Sequence, residues 1–350
     1  MITMSRTVIA TPPGETIREQ LESRKMTQKD FALRMEMSEK HISHLINGEV
    51  RLTPNTAMRL EAVLGIPAYF WNNLEAIYQT KRLKAEEENA MDADIELIKK
   101  MPFSEMVKFG WIEPSNNVVD RVRKMRQYFE VARLEVLENL IMPGIAYRRT
   151  STKEKSDYSL AVWAQRAKLL AREREVLPIN LQKLQSIVPE VRAMTTQAPE
   201  KFTPKLQKMF SECGIALIYL PHMKGSFLHG ASFVDGKKIV MALTVRGHDA
   251  DKFWFSVFHE VGHILEGHIN KPFGATEEDE KAADKYARDV LIPPDEYEKF
   301  TAMGHYSEKS VKEFSLNVKV DAGIVVGRLQ KDGKLKFNQL NGLKKHYELS

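Results

Sequence analysis

Apolar positions recur at helical spacing along most of this chain, and the interval shortens to strand type only past residue 200. Thr16-Ile17-Arg18-Glu19-Gln20-Leu21-Glu22 gives a first helix. Thr27 serves as the N-cap of a second over residues 28–35, and Ser38 caps a third over residues 39–46 that stops at Asn47-Gly48, a natural left-handed end. Ala32 sits at the closely packed point of the second helix, and Ile42 and Leu45 bury the third against it. Paired helices at this spacing form a helix-turn-helix. From about residue 80 to 200 the pattern is again helical. The charged run 84–90 reads as a semi-rigid connector and not a Gly/Ser linker, 157–175 as a long helix stopped near Pro178, and 181–194 as a helix broken at Pro189. Residues 215–220 and 237–243 are short apolar runs of strand type, with Asp235-Gly236 marking a hairpin turn. The predicted fold class is mainly α and multi-domain. An all-α helix-turn-helix domain spans 1–80, a helical connector region 81–200, and an α+β domain with a small sheet 201–350.

The carboxyl-terminal domain carries the candidate chemistry. In Phe258-His259-Glu260-Val261-Gly262-His263 the two histidines lie four residues apart on one helix face, so their ring nitrogens can converge on one metal ion with Glu260 beside its open position. The preceding run Phe253-Trp254-Phe255-Ser256-Val257-Phe258 is apolar enough to carry that helix inward. Zinc in a hydrolase takes a third protein ligand and leaves one position for water. A second amphipathic helix, 280–291, has Ala283, Ala287, Val290 and Leu291 as its apolar stripe and supplies Glu280 and Asp284 one turn apart. Glu280 is read as the third ligand and Asp284 as acceptor for the N–H of a ligand histidine, whereas Glu277, Glu278 and Asp279 are read as a solvated face.

His259-Glu260-x-x-His263 followed by Glu280-x-x-x-Asp284 resembles the ligand pattern of gluzincin peptidases. The wider block, through Ile264-Leu265, Ala283-Asp284-x-Tyr286-Ala287 and Leu291-Ile292-Pro293, resembles the ImmA/IrrE metallopeptidases, as do Gly214-Ile215-Ala216-Leu217-Ile218-Tyr219-Leu220-Pro221 and Gly230-Ala231-Ser232. The resemblance implies His259, His263 and Glu280 as metal ligands and Glu260 as general base; Ala282 stands where many relatives carry a second acid. Two imidazoles and a carboxylate suit zinc, and manganese also.

In the helix-turn-helix, Ser38, Lys40, His41, Ser43 and His44 are placed toward the major groove, with Gln28, Lys29, Asn47 and Arg51 near phosphates. Glu36 occupies the position in the turn where glycine is usual. With the prelude Pro13-Gly14-Glu15 and the segment 67–78, this region resembles HigA-type antitoxins of the Xre helix-turn-helix family. Residues 323–330 and 340–343 are similar to the end of longer HigA-type proteins that carry an ImmA/IrrE domain.

Composition narrows the setting. The 350 residues are 43% hydrophobic, enough for two or three cores, and the single cysteine, Cys213, excludes an internal disulfide framework and a thiolate metal site built on this chain alone. No apolar run reaches the roughly 18 residues of a membrane helix, and the start lacks the apolar core of a signal peptide, so a cytoplasmic location is expected. The formal charge of +5 is small for the length; basic runs 121–126 and 148–153 either extend a phosphate-binding surface or are solvated helix faces. The expected partners are operator DNA, met as a homodimer, and a cognate toxin or a repressor substrate, with no membrane. Three readings stand: an antitoxin and self-repressor carrying a metallopeptidase domain; a site-specific zinc endopeptidase that uses DNA binding for placement; and an inactive sensing module that retains the zinc-site fold.

Overall fold

Thr27 and Ser38 each turn a hydroxyl onto the backbone N–H three residues ahead, Asp30 at 3.1 Å and His41 at 3.2 Å, and so begin two helices where the sequence places them. They belong to a computed structural model that describes residues 3–137, 154–224, 229–244, 249–271 and 275–347. The chain divides into two compact units, residues 1–96 with 117–122, and residues 97–116 with 123–350.

The first unit holds a short antiparallel ribbon, β1 (Thr3–Met4) with β2 (Ile9–Ala10), then α1 (Pro13–Ser23), α2 (Gln28–Arg34), α3 (Glu39–Ile46), α4 (Pro54–Leu64) and α5 (Ala68–Asn89). The ribbon is a departure from the expected all-α domain. Its core is Ile17, Leu21, Phe31, Ala32, Met35, Ile42, Leu45, Leu60 and Trp71, with the Trp71 indole N–H donating to the Ile66 carbonyl at 3.1 Å. Two backbone positions set the angles. A Cβ on Gly14 would stand 1.9 Å from the Ile46 carbonyl oxygen, so α1 meets the end of α3 only through a glycine. Glu36, in the turn between α2 and α3, has φ +52°. Arg59 holds that turn by donating to the Met35 and Glu36 carbonyls at 2.7 and 3.1 Å. The 84–90 run is not wholly a solvated connector: Glu88 is buried and accepts from the Ser5 hydroxyl and the Thr7 N–H, anchoring the ribbon to α5.

Helices α6 (Asp92–Lys100), α7 (Phe103–Lys108) and α8 (Val118–Phe129) follow. In the second unit, α9 (Glu154–Arg172), α10 (Leu181–Ala193) and α11 (Pro199–Ser211) lead to β3 (Ile215–Leu220), β4 (Gly230–Asp235) and β5 (Lys238–Thr244). The sheet is mixed, in the order β3-β5-β4, with β3 parallel and β4 antiparallel to β5. The turn at Asp235-Gly236 forms as expected, Asp235 pairing with Lys238 and Gly236 taking φ +62°. Residues 181–194 depart from the expected break at Pro189: α10 runs through the proline. Its Leu184, Val188 and Val191 are held in the core, and packing offsets the hydrogen bond that proline removes. At its end, Arg192 donates to the Val290 and Leu291 carbonyls at 2.7 and 3.0 Å and also to that of Val318.

Those carbonyls close two further helices, α13 (Glu277–Leu291) and α15 (Glu308–Val318). The order around them is α12 (Ala250–Leu265), α13, α14 (Pro294–Ala302), α15 and α16 (Ala322–Lys331). Helix α12 is apolar nearly all round and buried, with Trp254, Val257 and Phe258 fully enclosed. The tail braces its start: Lys344 pairs with Asp251 at 2.7 Å, and the Trp254 indole donates to the Tyr347 hydroxyl at 3.0 Å. Helices α12 and α13 touch at Gly262, where a Cβ would lie 3.2 Å from the Tyr286 side chain and 3.3 Å from Ala283 Cα.

Two substitutions in the first unit have opposite expected signs. Gly14→Ala drives α1 from α3 and costs about 1–3 kcal/mol or more. Glu36→Gly relieves the left-handed backbone and adds about 0.5–1 kcal/mol after the entropy of glycine is discounted. Amide hydrogen exchange in α1 to α4 measures both; protection unchanged in Gly14→Ala would refute the close approach of the two helices.

Candidate metal centre and nucleic-acid interface

Helix α12 carries His259 and His263 on the face turned to α13, and their Nε2 atoms stand 3.0 Å apart. The Glu280 carboxylate closes the third side, 3.3 Å from His259 Nε2 and 3.4 Å from His263 Nε2. Donors bound tetrahedrally to zinc at about 2.0–2.1 Å are separated by about 3.3 Å, and the two Nε2 atoms with the two oxygens of the Glu280 carboxylate stand close to that spacing, Oε2 toward His259 and Oε1 toward His263. Among the described residues these three form a cluster able to hold a metal ion.

The surroundings favour a cation. Burial by itself would push His259 down, but its hydrogen bonds with Asp284 and Glu280 and the charges of Glu260 and Glu280 outweigh that and hold its pKa up at about 9. A pocket that stabilises a proton on a buried imidazole is also one that attracts a dication. Asp284 Oδ1 lies 2.9 Å from His259 Nδ1, which leaves Nε2 turned to the Glu280 carboxylate. Glu260 is 98% buried, and its Cγ and Oε1 would each be 3.0 Å from a Cβ on Gly230, so glycine on β4 makes the room this carboxylate occupies.

The second histidine has a support that the sequence spacing does not reveal. His263 Nδ1 lies 3.1 Å from His268 Nδ1, and His268 Nε2 lies 3.3 Å from Asp279 Oδ1. Asp279 is therefore not part of a solvated face. It is buried, Lys271 donates to it at 2.6 Å and the Thr276 N–H at 2.9 Å, and these bonds lower its pKa to about 2. The expected start of α13 at Glu280 moves back to Glu277 for the same reason, because Thr276 and Asp279 form a capping box. Glu277 and Glu278 are exposed as expected. The signal for the relay was the histidine after Gly267, whose φ of +72° turns the chain back toward His263.

In the first unit none of the residues selected from the sequence is fully buried. Gln28, Lys29, Ser38, Lys40, His41, Asn47 and Arg51 are exposed, and Ser43 and His44 are half-buried. Lys29, Lys40 and Arg51 form no ion pair among the described residues, which leaves their charge to a polyanion. Ser38 is also the cap of α3, and the His44 ring is engaged by Glu49. In the basic run 121–126, Arg126 is buried and Arg123 exposed; the run 148–153 lies outside the described residues. No helix among the described residues is long and apolar enough to cross a membrane.

Comparison with known proteins bears on this first unit. The helix-turn-helix family profile matches residues 17–71. An uncharacterized HTH-type transcriptional regulator, YddM of Escherichia coli (strain K12), is 35% identical over 63 residues, which cover 18% of this chain and 67% of that protein. A solved addiction module antidote protein of the HigA family from Coxiella burnetii aligns at 26% identity over 24% of this chain and 92% of its own, with a TM-score of 0.22. Through its amino-terminal unit the chain belongs to the helix-turn-helix family, with a domain of the Xre type that implies DNA binding.

Proposed function

We propose that this chain is an operator-binding regulator of the HigA antitoxin type whose second unit is a zinc-dependent metallopeptidase. The antitoxin reading is supported by the resemblance at Pro13-Gly14-Glu15 and 67–78, and it brings a cognate toxin as partner. The peptidase reading is carried by one observation, the near-tetrahedral spacing of His259, His263 and Glu280 beside a buried Glu260.

When bound, zinc supplies a water acidic enough to ionise near neutrality and polarises a carbonyl. Glu260 takes the proton of the attacking water and returns it to the departing amine. Asp284 and the His268–Asp279 pair fix the two imidazoles with Nε2 toward the ion. Manganese is the second ion this donor set suits. A site-specific endopeptidase that cuts a repressor or a toxin, using DNA only for placement, is the second reading; a general base walled in beside a complete ligand set favours it.

Elemental analysis tests the centre. The purified chain is expected to hold about one zinc per molecule, His259→Ala and His263→Ala to lose most of it, and Glu260→Gln to retain it while abolishing any cleavage. Unchanged metal in both histidine variants would remove the site as drawn.

The His268 relay has its own readout. His268→Phe and Asp279→Asn are each expected to weaken zinc affinity about 10–100-fold in chelator competition, while a fold-matched control such as Glu278→Gln leaves it unchanged. Equal affinity in all three would mean that His263 needs no such support.

For the DNA reading, the chain is expected to bind a palindrome in its own promoter as a dimer, with half-sites about one helical turn apart. Arg51→Ala weakens binding to every sequence, whereas Lys40→Ala relaxes discrimination by about 1–3 kcal/mol at the base pair that Lys40 reads. Gel shifts on operator and scrambled DNA at fixed salt separate the two; equal weakening on both DNAs for Lys40→Ala would show that α3 does not read bases.

A further inference from the structure

A cavity of about 700 Å³ opens one helical turn from His259, between α12, α13, α16 and the carboxyl-terminal segment, and Asp284 forms part of its wall. That is the size of a pocket for a small ligand or for several peptide atoms. Most of its charges are already matched: Lys344 with Asp251, Lys252 and His346 with Asp249, Arg328 with Asp332, and Asp284 with His259. Two groups are not.

Arg288 follows Asp284 by one turn on α13 and lines the cavity, yet it makes no hydrogen bond or ion pair among the described residues, and its Nε is buried. Asp251 is 92% buried and also lines the cavity; its Oδ2 takes Lys344, but its Oδ1 has no hydrogen-bond partner among the described residues. The fold makes room for that carboxylate, because a Cβ on Gly327 would stand 2.4 Å from Asp251 Oδ2. Arg288 feels the Asp332 carboxylate only through space; a guanidinium with no hydrogen-bonded anion and a buried carboxylate oxygen without a donor each cost free energy that a suitable ligand recovers. The wall also includes the Phe255 ring, which lies against His259 at 6.1 Å between centroids.

We infer that this cavity receives a carboxylate-bearing ligand with an N–H donor beside it, the carboxylate on Arg288 and the donor on Asp251 Oδ1. An acidic residue of a bound peptide and a free amino acid share this chemistry. Since the cavity adjoins the donor set through Asp284, a peptide laid across the metal centre reaches it with a neighbouring side chain. Arg288 thereby selects an acidic residue next to the bond to be cut. This rests on the peptidase reading for the peptide and on the cavity alone for the carboxylate.

The test uses the full-length chain carrying Glu260→Gln, loaded with zinc and with its zinc content measured, to select from a randomised peptide library read by mass spectrometry. Asp or Glu is expected to be enriched at one position by about tenfold or more over Gln. The preference is lost in Arg288→Gln and turns to Lys or Arg in Arg288→Glu; the two variants guard against a folding defect in one, and thermal unfolding verifies both. With zinc bound, an absence of acid preference, or one that persists in both variants, overturns the peptide assignment. Calorimetric titration of L-glutamate, which needs no metal, is the second arm. Heat that depends on Arg288 without acid enrichment in the library assigns the cavity to a free acid, and no heat together with no enrichment overturns the inference whole. A chain that holds no zinc but binds glutamate through Arg288 refutes the peptidase reading and leaves the cavity standing.

Discussion

The close approach of α12 to α13 at Gly262 is the constraint on which the second unit depends. With Ala283 Cα and the Tyr286 side chain where a Cβ would stand at little over 3 Å, the helix axes come near enough for a glutamate on one to reach two histidines on the other. The antiparallel match that follows sets His263 and His259 against Glu280, and His259 against Asp284. One turn further on it brings Arg288 into the wall of the adjoining cavity. Arg192 fixes the far end of α13 through its last carbonyls, and the tail fixes the start of α12, so neither helix can slide without breaking buried bonds.

Much of this was legible because it depends on short sequence spacings. A four-residue interval on a helix faces two imidazoles the same way whatever the tertiary context, and Glu280 with Asp284 repeats that interval on the opposing helix. The caps at Thr27 and Ser38 and the stop at Asn47-Gly48 are equally local, which is why α2 and α3 begin where the sequence says they do. Gly14 adds a reason that spacing does not give: its requirement comes from a carbonyl thirty-two residues away.

Long-range causes account for the rest. Asp279 reads as one more acid in an acidic run until Lys271 and His268 are brought to it, and a run of like charges gives no hint of which member turns inward. Pro189 signals a break by the local rule, and only the burial of Leu184, Val188 and Val191 against a distant core reverses it. Glu88 likewise owes its burial to Ser5 and Thr7, more than eighty residues earlier.

The polar content of the α12–α13 interface is itself an argument about purpose. His263, Glu260, His268 and Asp279 are all at least 91% buried, and each polar atom taken from water carries a desolvation cost that a leucine or phenylalanine in its place would not. Replacement of buried polar groups by apolar residues of like volume is often neutral or stabilising, so packing alone gives no reason to keep them here. The donor orientation points the same way, since Asp284 and His268 engage the Nδ1 atoms of the two imidazoles and leave both Nε2 atoms facing one point with the Glu280 carboxylate. Two imidazole nitrogens and a carboxylate converging on one point call for positive charge between them, which the proton held on His259 supplies and which the proposed divalent cation would supply in its place.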